Sequence, residues 1–244
     1  ILSGLFGTPV GNANFSIIGS ITLTQPVPGE ILTVGDAGYV IKWTKNAVST
    51  VNLYYSKNGG TDSYLYPIAL GVAAGSDAPV VNSTLWAPSV ADAIGNQVRI
   101  KITDANNENL VMDCTGADPC TTVAATNTFK IKGDLTLTAP AGTSPRYVAD
   151  APLTISWTPV GSIGVVKIDY SKNAFVDESQ TANLVDNYSD VSNSYTVPGG
   201  VPDGISDTFA IRVKSKQDGL PLSDPALVAS KISATFPVRP EVIL

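Results

Sequence analysis

Few residues in this chain could do chemistry. Cys114 and Cys120 stand close together in Cys-Thr-Gly-Ala-Asp-Pro-Cys. Two readings compete: a short disulfide, or two incidental thiols. The strand-rich, low-charge, Thr-rich surroundings favour the disulfide and an oxidising compartment. A thiolate metal site is the third reading, and it wants more ligands nearby. Asp104-Ala105-Asn106-Asn107-Glu108-Asn109 is rich in oxygen ligands, so calcium is the one cation to weigh. The run lacks the full spacing and central glycine of a calcium loop, which favours a solvated turn. The same holds for Asp186-Asn187-Tyr188-Ser189-Asp190. Asp177 and Glu178 are adjacent carboxylates, and nothing else converges on them to make an acid–base pair. The chain has no histidine, so the commonest general base and every His-based nucleophile or metal arrangement are excluded. The expectation is a non-enzyme with no catalytic residues and no cofactor.

Three aromatics are candidates for stacking on sugar: Tyr54, Trp86 and Tyr188. Trp86 is matched to Thr196 in the second half of the chain, so it is expected to be partly exposed. Trp43 and Trp157 recur beside inward aliphatics and read as core. Asn14, Asn82 and Asn187 each begin an Asn-x-Ser/Thr triplet, the pattern for N-linked glycan.

The elements that must position these residues come in two copies. Phe15-Ser16-Ile17-Ile18-Gly19-Ser20-Ile21-Thr22-Leu23-Thr24-Gln25-Pro26 returns as Phe129-Lys130-Ile131-Lys132-Gly133-Asp134-Leu135-Thr136-Leu137-Thr138-Ala139-Pro140, and a damaged third copy begins at Phe236. The spacings are about 114 and about 107 residues, near the size of one β-sandwich domain. Tyr39, Ile41 and Trp43 alternate with polar residues, as do Leu153, Ile155 and Trp157. Val51 to Asn58 matches Val166 to Asn173, and Val98-Arg99-Ile100-Lys101-Ile102 matches Phe209-Ala210-Ile211-Arg212-Val213. A period of two points Val98, Ile100 and Ile102 inward and Arg99 and Lys101 outward. Turn residues separate the runs and no helical period appears, so the chain is predicted to be all-β. The expected architecture is two tandem Ig-like or fibronectin-like antiparallel sandwiches cut from a longer array.

The expected boundaries follow the repeat. Residues 1–14 form the last strand of a preceding repeat; 15–128 and 129–235 are the two domains; 236–244 begin a following one. A net charge of -6 without a basic cluster argues against nucleic acid. No apolar run is long enough to span a membrane. Ile1-Leu2-Ser3-Gly4-Leu5-Phe6-Gly7 lacks the charged start of a signal peptide; if the protein is secreted, its leader lies upstream.

Ile21, Pro26, Gly35, Trp43, Tyr55, Ser56, Gly59, Gly60, Trp86, Pro88 and Ile100, with Leu135, Pro140, Trp157, Tyr170, Ser171, Pro198 and Ile211 in the second copy, carry a family resemblance. The pattern resembles the Ig-like domain of the yeast cell-wall glucan-assembly proteins, also called the Ser-Thr-rich GPI-anchored membrane family. Ala149 departs from it where the first copy has Gly35. The resemblance implies a cell-surface location and structural or wall-associated work, and transfers no catalytic residue. It leads to a structural protein of a filament, sheath or surface layer, partnered by itself or by neighbouring repeats. The alternatives are an adhesin or binder of cell-wall polysaccharide, and a non-catalytic segment of a large secreted enzyme.

Overall fold

The computed structural model describes residues 18–116, 120, 127–140, 147–148, 151–200, 205–216 and 228–240. The expected strand at 1–14, together with Asn14, Phe15 and Ala149, lies outside them. Among the described residues the chain forms strands and short 3-10 turns such as Glu178–Gln180, with no α-helix.

Nine strands build the first half: β1 (Ser20–Gln25), β2 (Ile31–Thr33), β3 (Val40–Asn46), β4 (Thr50–Ser56), β5 (Tyr66–Ala73), β6 (Asn82–Leu85), β7 (Gly95–Asp104), β8 (Met112–Cys114) and β9 (Phe129–Lys132). Sheet β1-β3-β6 faces sheet β2-β9-β7-β4-β5, with β8 paired to β7. The second half repeats this with β10 (Asp134–Ala139), β11 (Tyr147–Val148), β12 (Thr154–Val160), β13 (Val165–Ser171), β14 (Thr181–Tyr188), β15 (Ser194–Thr196), β16 (Ser206–Lys216), β17 (Ser230–Ile232) and β18 (Phe236–Arg239). Sheet β10-β12-β15 faces β11-β18-β16-β13-β14. This is an all-β architecture in which paired sheets pack face to face as sandwiches.

The alternation that predicted the strands also builds the cores. Ile41, Trp43, Leu53, Ile100, Phe129 and Ile131 meet between the first two sheets; Leu135, Ile155, Trp157, Ile168, Phe209 and Phe236 meet between the second two. Even the irregularities recur: the register slips between Leu23 and Gln25 on β1, and between Leu137 and Ala139 on β10. Trp43 Nε1 donates to the Ala74 carbonyl at 3.1 Å, so its one polar atom is satisfied inside the core.

Three expectations need correction. The first concerns the boundaries. β9 pairs with β2 and β7 and closes the first sandwich, whereas β10 opens the second, so the change of sheet falls at Gly133 and not between 128 and 129. Likewise β18 pairs with β16 and β11, and Phe236 lies in the second core. Phe236–Arg239 is therefore a last strand of the second sandwich and not the first of another. The Phe-x-Ile/Val pattern marks the end of a sandwich because its two apolar residues fill the gap beside β7 or β16.

The second correction is Trp86, which is buried at 2% exposure and packs on Tyr55 and Phe129. Val40 is paired with Leu85, and Thr154 with Thr196. The next amide then donates inward: Trp86 to the Tyr39 carbonyl at 3.0 Å, Val197 to the Leu153 carbonyl at 2.9 Å. The true counterpart of Trp86 is thus buried Val197, and exposed Thr196 matches exposed Leu85. A shift of one residue exchanges the two faces of a strand.

The third is Arg99, which is fully buried although it points away from the core. The turn after β4 covers it, and its Nη1 donates to the Gly59 carbonyl at 3.4 Å.

Trp86→Ala should therefore cost roughly 3–5 kcal/mol of first-sandwich stability. Leu85→Ala, one residue away, should change it by less than about 0.5 kcal/mol. Chemical denaturation followed by near-ultraviolet dichroism separates the two.

Candidate functional site

The outward faces of the two large sheets carry the polar side chains that sequence alone left unplaced. On the first, Tyr54 is half-buried under Lys101, whose Nζ lies 5.4 Å from its ring centroid. The Tyr54 hydroxyl donates to Glu108 Oε1 at 3.1 Å, and the Asn52 side-chain amide donates to the same oxygen. Burial, then the Glu108 hydrogen bond, raises the Tyr54 hydroxyl above its usual pKa. Its ring is covered on one side and its hydroxyl is held, so it is no open stacking platform.

Glu108 belongs to the β7–β8 hairpin weighed for calcium. Asp104 accepts there from the Asn106 amide at 2.9 Å and from the Asn107 side chain at 3.3 Å. Its carboxylate organises the turn. Among the described residues no three His, Cys, Asp or Glu side chains gather as metal ligands. Cys114, at the end of β8, is bonded to Cys120, and the Tyr64 hydroxyl lies 3.0 Å from Cys114 Sγ. β8 also reaches the opposite sheet: Asp113 accepts the Leu23 amide of β1 at 2.7 Å and so occupies a donor of an edge strand.

On the second sheet the focus is Arg212. It is buried, stacks on Phe175 at 4.2 Å, and donates to Glu178 at 2.5 and 3.0 Å and to Asp169 at 3.3 Å. The forked pairing with Glu178 suits a planar guanidinium. It holds the Glu178 carboxyl down at about 2. Asp177 turns away and caps the 3-10 turn, accepting from the Ser179 amide at 2.9 Å and its hydroxyl at 2.7 Å. The adjacent carboxylates thus do separate structural jobs. No local signal in the sequence shows that a distant turn supplies the partner of Arg212.

Tyr188 packs on the second core, edge-on to Trp157 and Tyr195, and donates to the Ser194 carbonyl at 2.8 Å. The three sugar-contact candidates therefore do not converge: Tyr54 lies on an outer face, Trp86 is in the first core and Tyr188 flanks the second. Asn82 folds its amide into the turn before β6, accepting from the Ser76 amide at 2.9 Å and donating to the Ser76 carbonyl at 2.8 Å. Asn187 is exposed and accepts from Lys216 at 2.5 Å.

The most elaborate constellation lies where the halves meet. β9 passes into β10 through Gly133 alone. Ile94 packs against both cores, and Val160 of the second half packs against the first. Asp92 Oδ2 accepts from the Ser162 amide at 2.9 Å and from its hydroxyl at 2.7 Å. A Cβ on Gly133 would stand 2.4 Å from Ile163 Cγ2 and 2.9 Å from the Val160 carbonyl oxygen. Gly161, at φ +78, lets the turn present Ser162 to Asp92.

Comparison with known proteins finds only distant structural likenesses. No family model and no curated protein matches the chain, so membership of the yeast wall family is not supported. Among solved structures it is similar to the fibronectin(III)-like modules of Clostridium thermocellum CbhA, at 16% identity over 90% of this chain and 94% of that one, with a TM-score of 0.28. It is also similar to the N-terminal four Ig domains of Dscam1 isoform 6.9, at 7% identity over 91% and 46% of the two chains and a TM-score of 0.34. A third is the three N-terminal domains of the bacteriophage RB49 highly immunogenic outer capsid protein, at 9% identity over 91% and 59%, with a TM-score of 0.28. Superpositions this loose carry no argument about activity. No helix in the described residues is long and apolar enough to cross a membrane.

Two outcomes follow from the pinned polar groups. Glu178 has a folded pKa below its usual 4.5, so its stabilising contribution is present above that value and is lost as pH falls through about 2. Glu178→Gln should flatten the acid limb of the second sandwich's stability profile in that window, read by thermal melts across pH. Replacing both Cys114 and Cys120 by Ser should cost only roughly 2 kcal/mol, because the closed loop is short. Denaturant titration should find the first sandwich less stable but still folded.

Proposed function

We propose that this chain is a non-catalytic structural segment of an extracellular surface assembly, built of tandem sandwich domains that meet at Gly133. The observation that carries the reading is the joint. One residue links the two sheet systems, Ile94 is shared by both cores, and Asp92 clasps Ser162 across the boundary. A linker of one residue with a shared apolar contact transmits orientation, where a Gly/Ser tether would lose it. A load-bearing or spacing element of a filament, sheath or surface layer needs that property.

The closing strands of the sandwiches support an array. Phe129-Lys130-Ile131 and Phe236-Pro237-Val238 each finish a sandwich, and Phe15-Ser16-Ile17, outside the described residues, has the same pattern. The disulfide supports an oxidising, extracellular location. The binding reading loses its sequence support, since Trp86 is buried and Tyr54 and Tyr188 are held in separate places.

Electron microscopy of the native material tests the assembly: ordered fibres or a lattice support it, and dispersed monomers reject it. The joint has its own test. Gly133→Val should drive Ile163 and Val160 apart and increase the maximum dimension seen by small-angle X-ray scattering, with both cores still folded. An unchanged scattering profile would mean that the joint does not set the orientation.

A further inference from the structure

The two flanks of the first sandwich are finished differently. On one, Asp113 occupies the Leu23 amide of edge strand β1. The other flank is formed by β5 and β6, each the last strand of its sheet and joined to one another by a single crossover. From Leu65 to Trp86 the sequence holds one charged residue, Asp77, and that carboxylate is bound to Lys45 at 2.6 Å. Leu65, Leu70, Val80, Val81 and Leu85 along this stretch are each at least 49% exposed.

β5 is eight residues long, pairs among the described residues only with β4, and carries no charge. In an antiparallel ladder every second residue of an edge strand turns its N–H and C=O away from its neighbour. Edge strands are normally guarded by lysine, inward charge, proline or a covering loop. Here Pro67 guards the start, and the Gly71 amide turns back to Asn52 Oδ1 of the neighbouring β4 at 2.7 Å. Among the described residues nothing charged guards Ile68 to Ala73. The second sandwich makes the contrast. Its matching stretch, Val176 to Val197, carries four carboxylates. Glu178 and Asp186 are paired with Arg212 and Lys216, while Asp177 and Asp190 are held by serine and tyrosine donors and keep their charge, so two such flanks would bring like charges together.

We infer that the β5 flank is an interface for a second copy of this chain, with β5 pairing antiparallel to its twin about a twofold axis. Self-pairing suits this strand because a neutral edge meets no like charge in its own image, and the exposed apolar residues beside it gain cover. Both large sheets would then join into one continuous sheet. The inference rests on this flank and goes beyond the array reading: it adds a lateral contact, whereas the Gly133 joint runs along the chain.

Sedimentation velocity of the whole chain over a concentration series tests it. The wild type should show a dimer that grows with concentration. Leu70→Lys, an exposed site whose change should leave the fold intact by circular dichroism, should lose that dimer. Ile232→Lys, similarly exposed on the second sandwich, should keep it. A wild type that stays monomeric at every concentration overturns the inference. So does a dimer that survives Leu70→Lys, or one that Ile232→Lys abolishes in its place.

Discussion

Gly133 has no space for a side chain, and much of the structure follows from that. A last strand must end deep in one core, a first strand must begin in the next, and the backbone between them passes within contact distance of Ile163 and Val160. Only a residue without Cβ permits this approach. It lets Ile94 serve two cores at once and brings Asp92 to Ser162. The first copy builds the same close approach: a Cβ on Gly19 would stand 2.6 Å from Val48 Cγ2.

Charge in this protein is sparse and largely committed to structure. Arg212 reads a distant turn through Glu178, Lys45 fastens the loop before β6 through Asp77, and Lys216 ties β16 to Asp186. The exposed members of these pairs add little stability each, but the buried guanidinium of Arg212 would be costly without its carboxylates. Carboxylates that looked free in sequence, at 177, 178 and 104, are turn caps and ion-pair partners.

The two halves share a core and differ at their margins. Trp43 and Trp157, and the bulges on β1 and β10, are equivalent to the residue. β5 and β14 occupy the same edge, yet one is neutral and apolar and the other is flanked by acids. Repeats that conserve packing while diverging at edges can stack alike and still present different surfaces to neighbours.

The inward faces of the strands from Val40, Val51 and Val98, and of their later counterparts, were legible because a period of two needs only local order. The all-β class followed from the same pattern. Edge strands β5 and β14 were not legible: Pro67 and the mixed exposure of both hide any alternation. Trp86 was placed on the wrong face because matching by proline position slipped one residue, and only pairing with Tyr39 and Val40 sets that register. The allocation of Phe129 and Phe236 to the end of a sandwich likewise required seeing which sheet they enter. Sequence by itself determined which residues avoid water and how far apart the copies lie. Tertiary structure decided which copy each junction strand belongs to, who partners Arg212 and where Ile94 is shared. Those depend on hydrogen bonds and contacts between residues far apart in the chain, which no local pattern encodes.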